Sequence, residues 1–385
     1  MEARKPISLI KAKDSHAETW PEEPDRFTEE HVDPLLLWCV KQNSSDVTIQ
    51  SDRPVYNEIH GALYPGTYRN IDAADMDAIL NKIYGREAKA KLASGRDLDI
   101  SYEIRPDRYT RIRFRVNITA ILSKGRDSAQ ITMRVLPAEP PTFKDLNIEE
   151  EIQETWAPRN GMVVITGATG SGKSTLLAAG NRMLLERPHG CGKMLTYEAP
   201  IEYVYDTIHS PRSLVSQSEI PRHLPNFSDG VRNALRRKPE IILVGEARDR
   251  ETINAAIEAA QTGHAVYTTT HTMGVANTVA RMISTYEMHE RPERAISLME
   301  TLRLIVTQAL VPREGGGRVG VREWMRFPDE VREKLMDMDF TDWGNEIERM
   351  LPQYGQSMKR SAEIVFEDGI IDRRHYLLLS SSTGS

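Results

Sequence analysis

Apolar and polar positions fall into two regimes on either side of a proline cluster. In the first, short segments alternate as half-buried strands do. A compact apolar run at 34–40, holding Leu35, Leu36, Leu37 and Trp38, predicts a short buried helix. Segments 47–50 and 55–59 predict strands across the turn Asp52, Arg53, Pro54, and 60–63 continues the second as a hairpin. Met76, Ile79, Leu80 and Ile83 have helical spacing within 73–84, and a second helix follows at 86–93. Segment 98–104 alternates as a strand. So does 111–118, which places Arg111, Arg113 and Arg115 on one face and Ile112, Phe114 and Val116 on the other. A last strand at 130–136 runs into Pro137, Ala138, Glu139, Pro140 and Pro141, the natural linker.

Beyond the linker a helix is predicted at 148–156. Four apolar runs then recur at 162–166, 194–197, 241–244 and 266–269. Helical stretches at 174–185, 229–237 and 250–260 separate them, and 336–351 and 356–366 also read as helices. Strands alternating with helices predict a mainly parallel sheet. The chain therefore divides into an arm at 1–30, a small α+β domain at 31–136, a linker at 137–143, an α/β domain at 144–335 and a helical region at 336–385.

In parallel sheets ligands sit beyond the carboxyl ends of the strands. Each predicted strand is followed at once by polar chemistry. After the first come Gly167, Ala168, Thr169, Gly170, Ser171, Gly172, Lys173 and Ser174, with Thr175 next. Gly, four residues, Gly, Lys, Ser is the phosphate-loop pattern, here between a strand and a helix. Glycines let successive N–H groups turn into one nest, and the helix N-terminus behind them adds positive potential. Lys173 would reach the β/γ-phosphates and the Ser174 hydroxyl would ligate Mg²⁺. After the second strand come Glu198 and Glu202 around Pro200. After the third comes Glu246, and after the fourth Thr270, His271 and Thr272.

Phosphoanhydride hydrolysis needs Mg²⁺, a positioned water and positive charge on the phosphates. Glu246 has the place of a Walker B carboxylate, holding Mg²⁺ through water or orienting the nucleophile. Glu198 and Glu202 would polarise the attacking water; the plain alternative for all three is a solvated loop carboxylate. His271 reads as a γ-phosphate sensor. His264 reads equally as a hydrogen-bonded histidine without a role, and no third ligand at metal spacing accompanies the pair. The arginine face at 111–115 admits three readings: a solvated face, a nucleic-acid patch, or cations supplied to a phosphate.

Composition narrows the field. The 385 residues carry a net charge of -6, which argues against a general nucleic-acid binder, and aromatics near the arginines are few, Tyr109 and Phe114. The two cysteines, Cys39 and Cys191, form neither a disulfide framework nor a zinc spacing. No signal peptide and no membrane-spanning run is expected, so the protein is expected in the cytoplasm.

The strand-end strings, together with Arg236 and Arg237 ahead of Glu246 and the echoes at 45–49 and 113–117, resemble the type II/type IV secretion ATPase superfamily. Within it the chain is similar to type IV pilus retraction ATPases and, more so, to type IVB (Dot/Icm-like and conjugative) secretion ATPases. The resemblance covers about residues 31–335. It implies a RecA-like P-loop core preceded by a PAS-like domain, assembled as a homohexamer. It also implies ATP and Mg²⁺ as cofactors. Glu198 and Glu202 fall in its "Asp box", where Ala199 replaces the usual aspartate. Glu246 falls in Walker B and His271 in its "His box". Arg113, with Arg134 or Arg111, would supply the cations. The implied function is ATP hydrolysis powering export at an inner-membrane type IV machine, with docking through protein partners and no sequence-specific nucleic-acid binding. A pilus retraction motor, a DNA-translocating ATPase and a nucleotide-binding module without turnover are the rivals.

Overall fold

The computed structural model describes residues 19–381 except His60, Tyr109 and Ala138. The chain divides between Pro137 and Ala138 into two units. The first holds α1 (Glu29–Lys41), β1 (Asp46–Gln50), β2 (Tyr56–Ile59), β3 (Ala62–Pro65), α2 (Ala73–Ile83) and α3 (Ala88–Ala93). It ends with β4 (Leu98–Ile104), β5 (Ile112–Ser123) and β6 (Arg126–Leu136). The strands form one antiparallel sheet in the order β3-β2-β1-β6-β5-β4. Phe114, Val116 and Ile118 of β5 alternate into the core with Val47, Ile49, Leu35 and Ile79.

Two expectations change here. The arm assigned to 1–30 does not hold over residues 19–30. Trp20 and Phe27 are 3% and 1% exposed, within that same core. The Phe27 N–H donates to the fully buried Asp75 carboxylate at 2.8 Å. An aromatic pair in a polar segment is enough to dock it: each such ring, fully buried, contributes about 2–3 kcal/mol. Residues 1–18 of the expected arm lie outside the described residues, as do Tyr109 and the His60 end of the hairpin. The first helix also begins earlier than expected, at Glu29, because Pro34 is tolerated within it.

The second unit runs α4 (Glu150–Thr155), β7 (Gly161–Thr166), α5 (Lys173–Leu185), β8 (Gly192–Glu198), β9 (Ser213–Glu219) and α6 (Phe227–Ala234). It continues with β10 (Ile241–Val244), α7 (Arg250–Gln261), β11 (Ala265–Thr269), α8 (Val275–Ser284) and α9 (Arg291–Thr301). Then come β12 (Leu302–Pro312), β13 (Arg318–Arg326), α10 (Asp329–Met336), α11 (Trp343–Tyr354), β14 (Gly355–Gln356), α12 (Met358–Glu367) and α13 (Arg373–Ser381). The 8-stranded sheet has the order β14-β13-β12-β7-β11-β10-β8-β9. From β12 to β9 every pair is parallel, and β13 and β14 extend one edge antiparallel.

Both faces of this sheet are covered. Met162 and Val164 of β7 join Leu195, Ile242 and Val266 under α6 to α9. Val163 and Ile165 point the other way, with Met194, Leu243 and Tyr267, under α4 and α5. That double burial is why the strands read as apolar runs. Trp156, fully buried, fixes α5 on its face: its ring meets Phe143 at 5.1 Å and Tyr267 at 5.8 Å. A Cβ at Gly180 would lie 2.0 Å from that ring, so only glycine allows α5 this approach. The last helices α12 and α13 cover β12 and β13 through Val311, Val321, Met358 and Ala362. Among the described residues no helix is long and apolar enough to cross a membrane.

Candidate active site

Register sets the site. Val164, Thr268, Val244 and Tyr197 are neighbours across β7, β11, β10 and β8, so all four carboxyl ends emerge along one edge. Backbone bonds stitch the loops leaving them. Gly245 N–H donates to the Tyr197 carbonyl at 2.7 Å, and Ala247 N–H to that of Thr269 at 2.9 Å. The Thr269 hydroxyl donates to the Gly245 carbonyl at 2.5 Å. Thr166, the last residue of β7, bonds the Thr272 carbonyl and meets its hydroxyl at 2.7 Å. Thr272 in turn reaches Thr278 at 2.8 Å, at the start of α8.

The phosphate loop spans β7 and α5. Ala168, Thr169, Gly170 and Ser174 are exposed, Thr175 is half-buried, and Ser171 and Lys173 are buried. Gly167 has φ +141°, and a Cβ there would stand 2.3 Å from the Gln308 carbonyl and 2.6 Å from Ser171 Oγ. Lys173 opens α5 and curls back, its Nζ donating to the carbonyls of Gly167 at 2.7 Å and Ala168 at 2.9 Å. Its Nζ also lies 3.4 Å from His271 Nδ1, whose other ring nitrogen, Nε2, is 3.4 Å from Glu246 Oε1. Burial pushes the Lys173 ammonium below its ordinary range, while the charges of Glu246 and Glu202 oppose that shift. Lys173, His271, Glu246 and Glu202 thus gather at the loop.

Glu198 sits beside them with its orientation fixed. Its Oε1 accepts from Thr196 Oγ1 at 2.6 Å and from Gln217 Nε2 at 3.1 Å. The Thr175 hydroxyl reaches Tyr203 Oη at 3.2 Å, tying the first turn of α5 to the segment after Glu202. His264 is elsewhere. It precedes β11 at the amino end of the sheet and bonds locally to the Ala259 carbonyl at 3.0 Å. Arg237 is also at that end, donating to Ser216 Oγ at 2.8 Å.

Arg113 and Arg134 belong to the first unit. Arg113 is 3% exposed, with Nε 3.7 Å from Glu103 Oε2, and Arg111 approaches the same carboxylate at 3.3 Å. Arg134 donates to Asp46 at 2.9 Å from an exposed position.

One observation fits a bound phosphate: Ser171 Oγ is buried with no hydrogen-bond partner. Among the described residues no group of three or more His, Cys, Asp or Glu could hold a metal. A cation here would therefore draw ligands from a hydroxyl, water and phosphate oxygens, the habit of Mg²⁺.

Sequence reasoning missed Gln217, which steadies Glu198, and Gln308, which presses on the loop. Both lie in strands, β9 and β12, that the apolar runs did not disclose. Each is a polar residue facing inward in a strand, a signal visible only once the strand is known.

Comparison with known proteins fits this geometry. Residues 22–364 match the family model described as type II/IV secretion system protein. The type IV pilus retractation ATPase PilT of Pseudomonas aeruginosa is 33% identical over 303 residues, 79% of this chain and 84% of its own length. The crystal structure of the Legionella pneumophila ATPase DotB superposes with a TM-score of 0.89 at 48% identity, covering 94% of this chain and 98% of that one. The pilus retraction motor PilT with bound ADP superposes at 0.79 with 27% identity, covering 91% and 96%.

Proposed function

The chain belongs to the type II/IV secretion system protein family and is an ATPase, and from that premise we propose that it is the hexameric, Mg-ATP-hydrolysing motor of a type IVB-like secretion or conjugation machine. The observation that carries the reading is the convergence of Lys173, His271 and Glu246 on one phosphate loop. Bound Mg-ATP supplies the phosphoanhydride and the cation that neutralises it. The chain's own groups do the rest.

Lys173 exchanges its two loop carbonyls for phosphate oxygens, which relieves a buried ammonium of weak partners. The loop N–H groups from Gly167 to Ser174 cradle the phosphates, with Thr175 behind them. Ser174, exposed in the first turn of α5, would be the protein's hydroxyl ligand for Mg²⁺, and Glu246 would hold the ion through water or orient the nucleophile. Glu198 and Glu202 orient the attacking water, Glu198 being steadied by Thr196 and Gln217. His271, between Lys173 and Glu246, reports the terminal phosphate to the loop leading into α8. The exposed Arg134 is a further cation on this reading, and Arg113, 3% exposed and facing Glu103, would have to leave that partner to act as another.

Similarity to the Legionella ATPase DotB is stronger in identity than that to either PilT, and stronger in fold than that to the ADP-bound PilT structure, which favours the secretion role. Similarity to the PilT proteins supports the second reading, a pilus retraction motor. The DNA-translocating reading has less support: Arg113 is buried, and Arg111 and Arg113 both face Glu103.

The purified chain is expected to release phosphate from Mg-ATP and to sediment as a hexamer with nucleotide. Deleting its gene should abolish secretion or DNA transfer and leave twitching intact. Loss of twitching alone would move the assignment to retraction. Strong, salt-sensitive stimulation by DNA would favour translocation. Nucleotide binding without phosphate release would reduce the chain to a regulatory module.

A further inference from the structure

Gln308 and Arg322 are neighbours on β12 and β13, paired directly in the sheet register, and both are 3% exposed. The Arg322 guanidinium makes four hydrogen bonds. Its Nε donates to Gln308 Oε1 at 2.8 Å, one terminal nitrogen to Glu149 at 3.1 Å and the Asn147 carbonyl at 3.3 Å, and the other to the Leu146 carbonyl at 3.0 Å. The backbone N–H of Arg322 donates to Ser361 of α12 at 3.0 Å. Because arginine only donates, Gln308 must turn its oxygen to it. That leaves Gln308 Nε2 to donate to the carbonyl of Ser171, inside the phosphate loop, at 2.7 Å.

Peptide planarity gives this bond a consequence. In a trans peptide the C=O of one residue and the N–H of the next point in opposite directions. Holding the Ser171 carbonyl toward Gln308 aims the Gly172 N–H to the other side of the loop. The approach is close enough to exclude a side chain: a Cβ at Gly172 would meet Gln308 Nε2 at 2.8 Å.

We infer that Gln308 and Arg322 are positioning residues for the phosphate loop: Gln308 locks the Ser171–Gly172 peptide plane for phosphate binding, and Arg322 locks Gln308 while tying it to Leu146–Glu149, just beyond the proline cluster. The inference rests on the loop being the nucleotide site. It adds that loop geometry is set from strands joined far downstream in the chain, and that movement of 146–149 reaches the loop through two side chains.

Two Gln308 substitutions and one at Arg322 test this. Gln308→Glu keeps the acceptor for Arg322 and removes the donor to Ser171. Gln308→Met keeps the volume and removes both bonds. Both are expected to lower kcat/KM for ATP about tenfold, the factor of one well-placed hydrogen bond. ADP affinity should weaken in parallel, measured well below the melting temperature. Arg322→Lys should show a similar loss, and its combination with Gln308→Met should be no worse than Gln308→Met alone. Should Gln308→Met fail to fold, Gln308→Glu and Arg322→Lys carry the test. Gln308 variants within twofold of the parent overturn the inference, as does impairment by Gln308→Glu alone, which would be a charge effect. Additive losses in the double variant also overturn it. A parent chain that binds no nucleotide refutes the functional reading itself, whereas an active parent beside unaffected variants refutes only this inference.

Discussion

Replacing Lys173 by alanine separates folding from chemistry at the phosphate loop. The ammonium is nearly buried and donates to the Gly167 and Ala168 carbonyls at 2.7 and 2.9 Å. Losing two such bonds costs about 2 kcal/mol. Burial opposes that loss, since it already disfavours the charged amine. Alanine also suits the first turn of α5 better. The net change is expected within about 2 kcal/mol, a melting shift below about 8 °C for a unit of this size. Turnover should respond on another scale. Removing one charged donor from the transferring phosphate costs about 10²- to 10³-fold in kcat. Phosphate release under saturating Mg-ATP, beside a circular-dichroism melt of the same sample, measures both. Lys173→Arg should not rescue, because a planar fork cannot replace a compact ammonium enclosed by loop carbonyls. A folded Lys173→Ala protein hydrolysing ATP within about tenfold of the parent would refute the assignment of this loop to phosphate chemistry.

Glu246→Gln should bind ATP as the parent does and lose about 10²-fold or more in kcat, read by fluorescent-nucleotide titration beside single-turnover hydrolysis; equal losses in both would make Glu246 a binding residue instead. Gly180→Ala forces a Cβ to 2.0 Å from the buried Trp156 ring, so about 3 kcal/mol of stability should disappear in urea unfolding; an unchanged midpoint would mean that α5 can shift away. Glu346 is held at about 2, below its ordinary 4.5, by Arg349 first and Lys334 second. A depressed carboxylate contributes stability above 4.5 that is lost as pH falls toward 2. Glu346→Gln should therefore narrow the melting-temperature gap between pH 6 and about pH 3, and an unaltered gap would show the ion pairs to be inert.

What was legible in the sequence was legible because it is local. The loop from Gly167 to Ser174 carries its strand and its helix as immediate flanks, and the four strand-end polar groups follow from one rule about parallel sheets. Strand β9 escaped because it is an edge strand whose residues, Ser213 to Glu219, are mostly half-buried and polar. Strand β12 escaped because α9 ends at Thr301 and β12 begins at Leu302, with no turn residue to mark the change. Trp20 and Phe27 were hidden in a charged segment whose composition outweighed two rings. The same distance in sequence separates the motif residues of the loop from the side chains that hold it. Gln308 meets Ser171 across 137 residues and Arg322 meets Glu149 across 173. A motif is a statement about neighbours along the chain, so it can name Lys173 and Ser174. The orientation of the Ser171–Gly172 peptide is decided by a strand that sequence spacing never connects to it. A chain keeping every motif residue but losing Gln308 would still be read as an ATPase, and on the present geometry it would be a slower one.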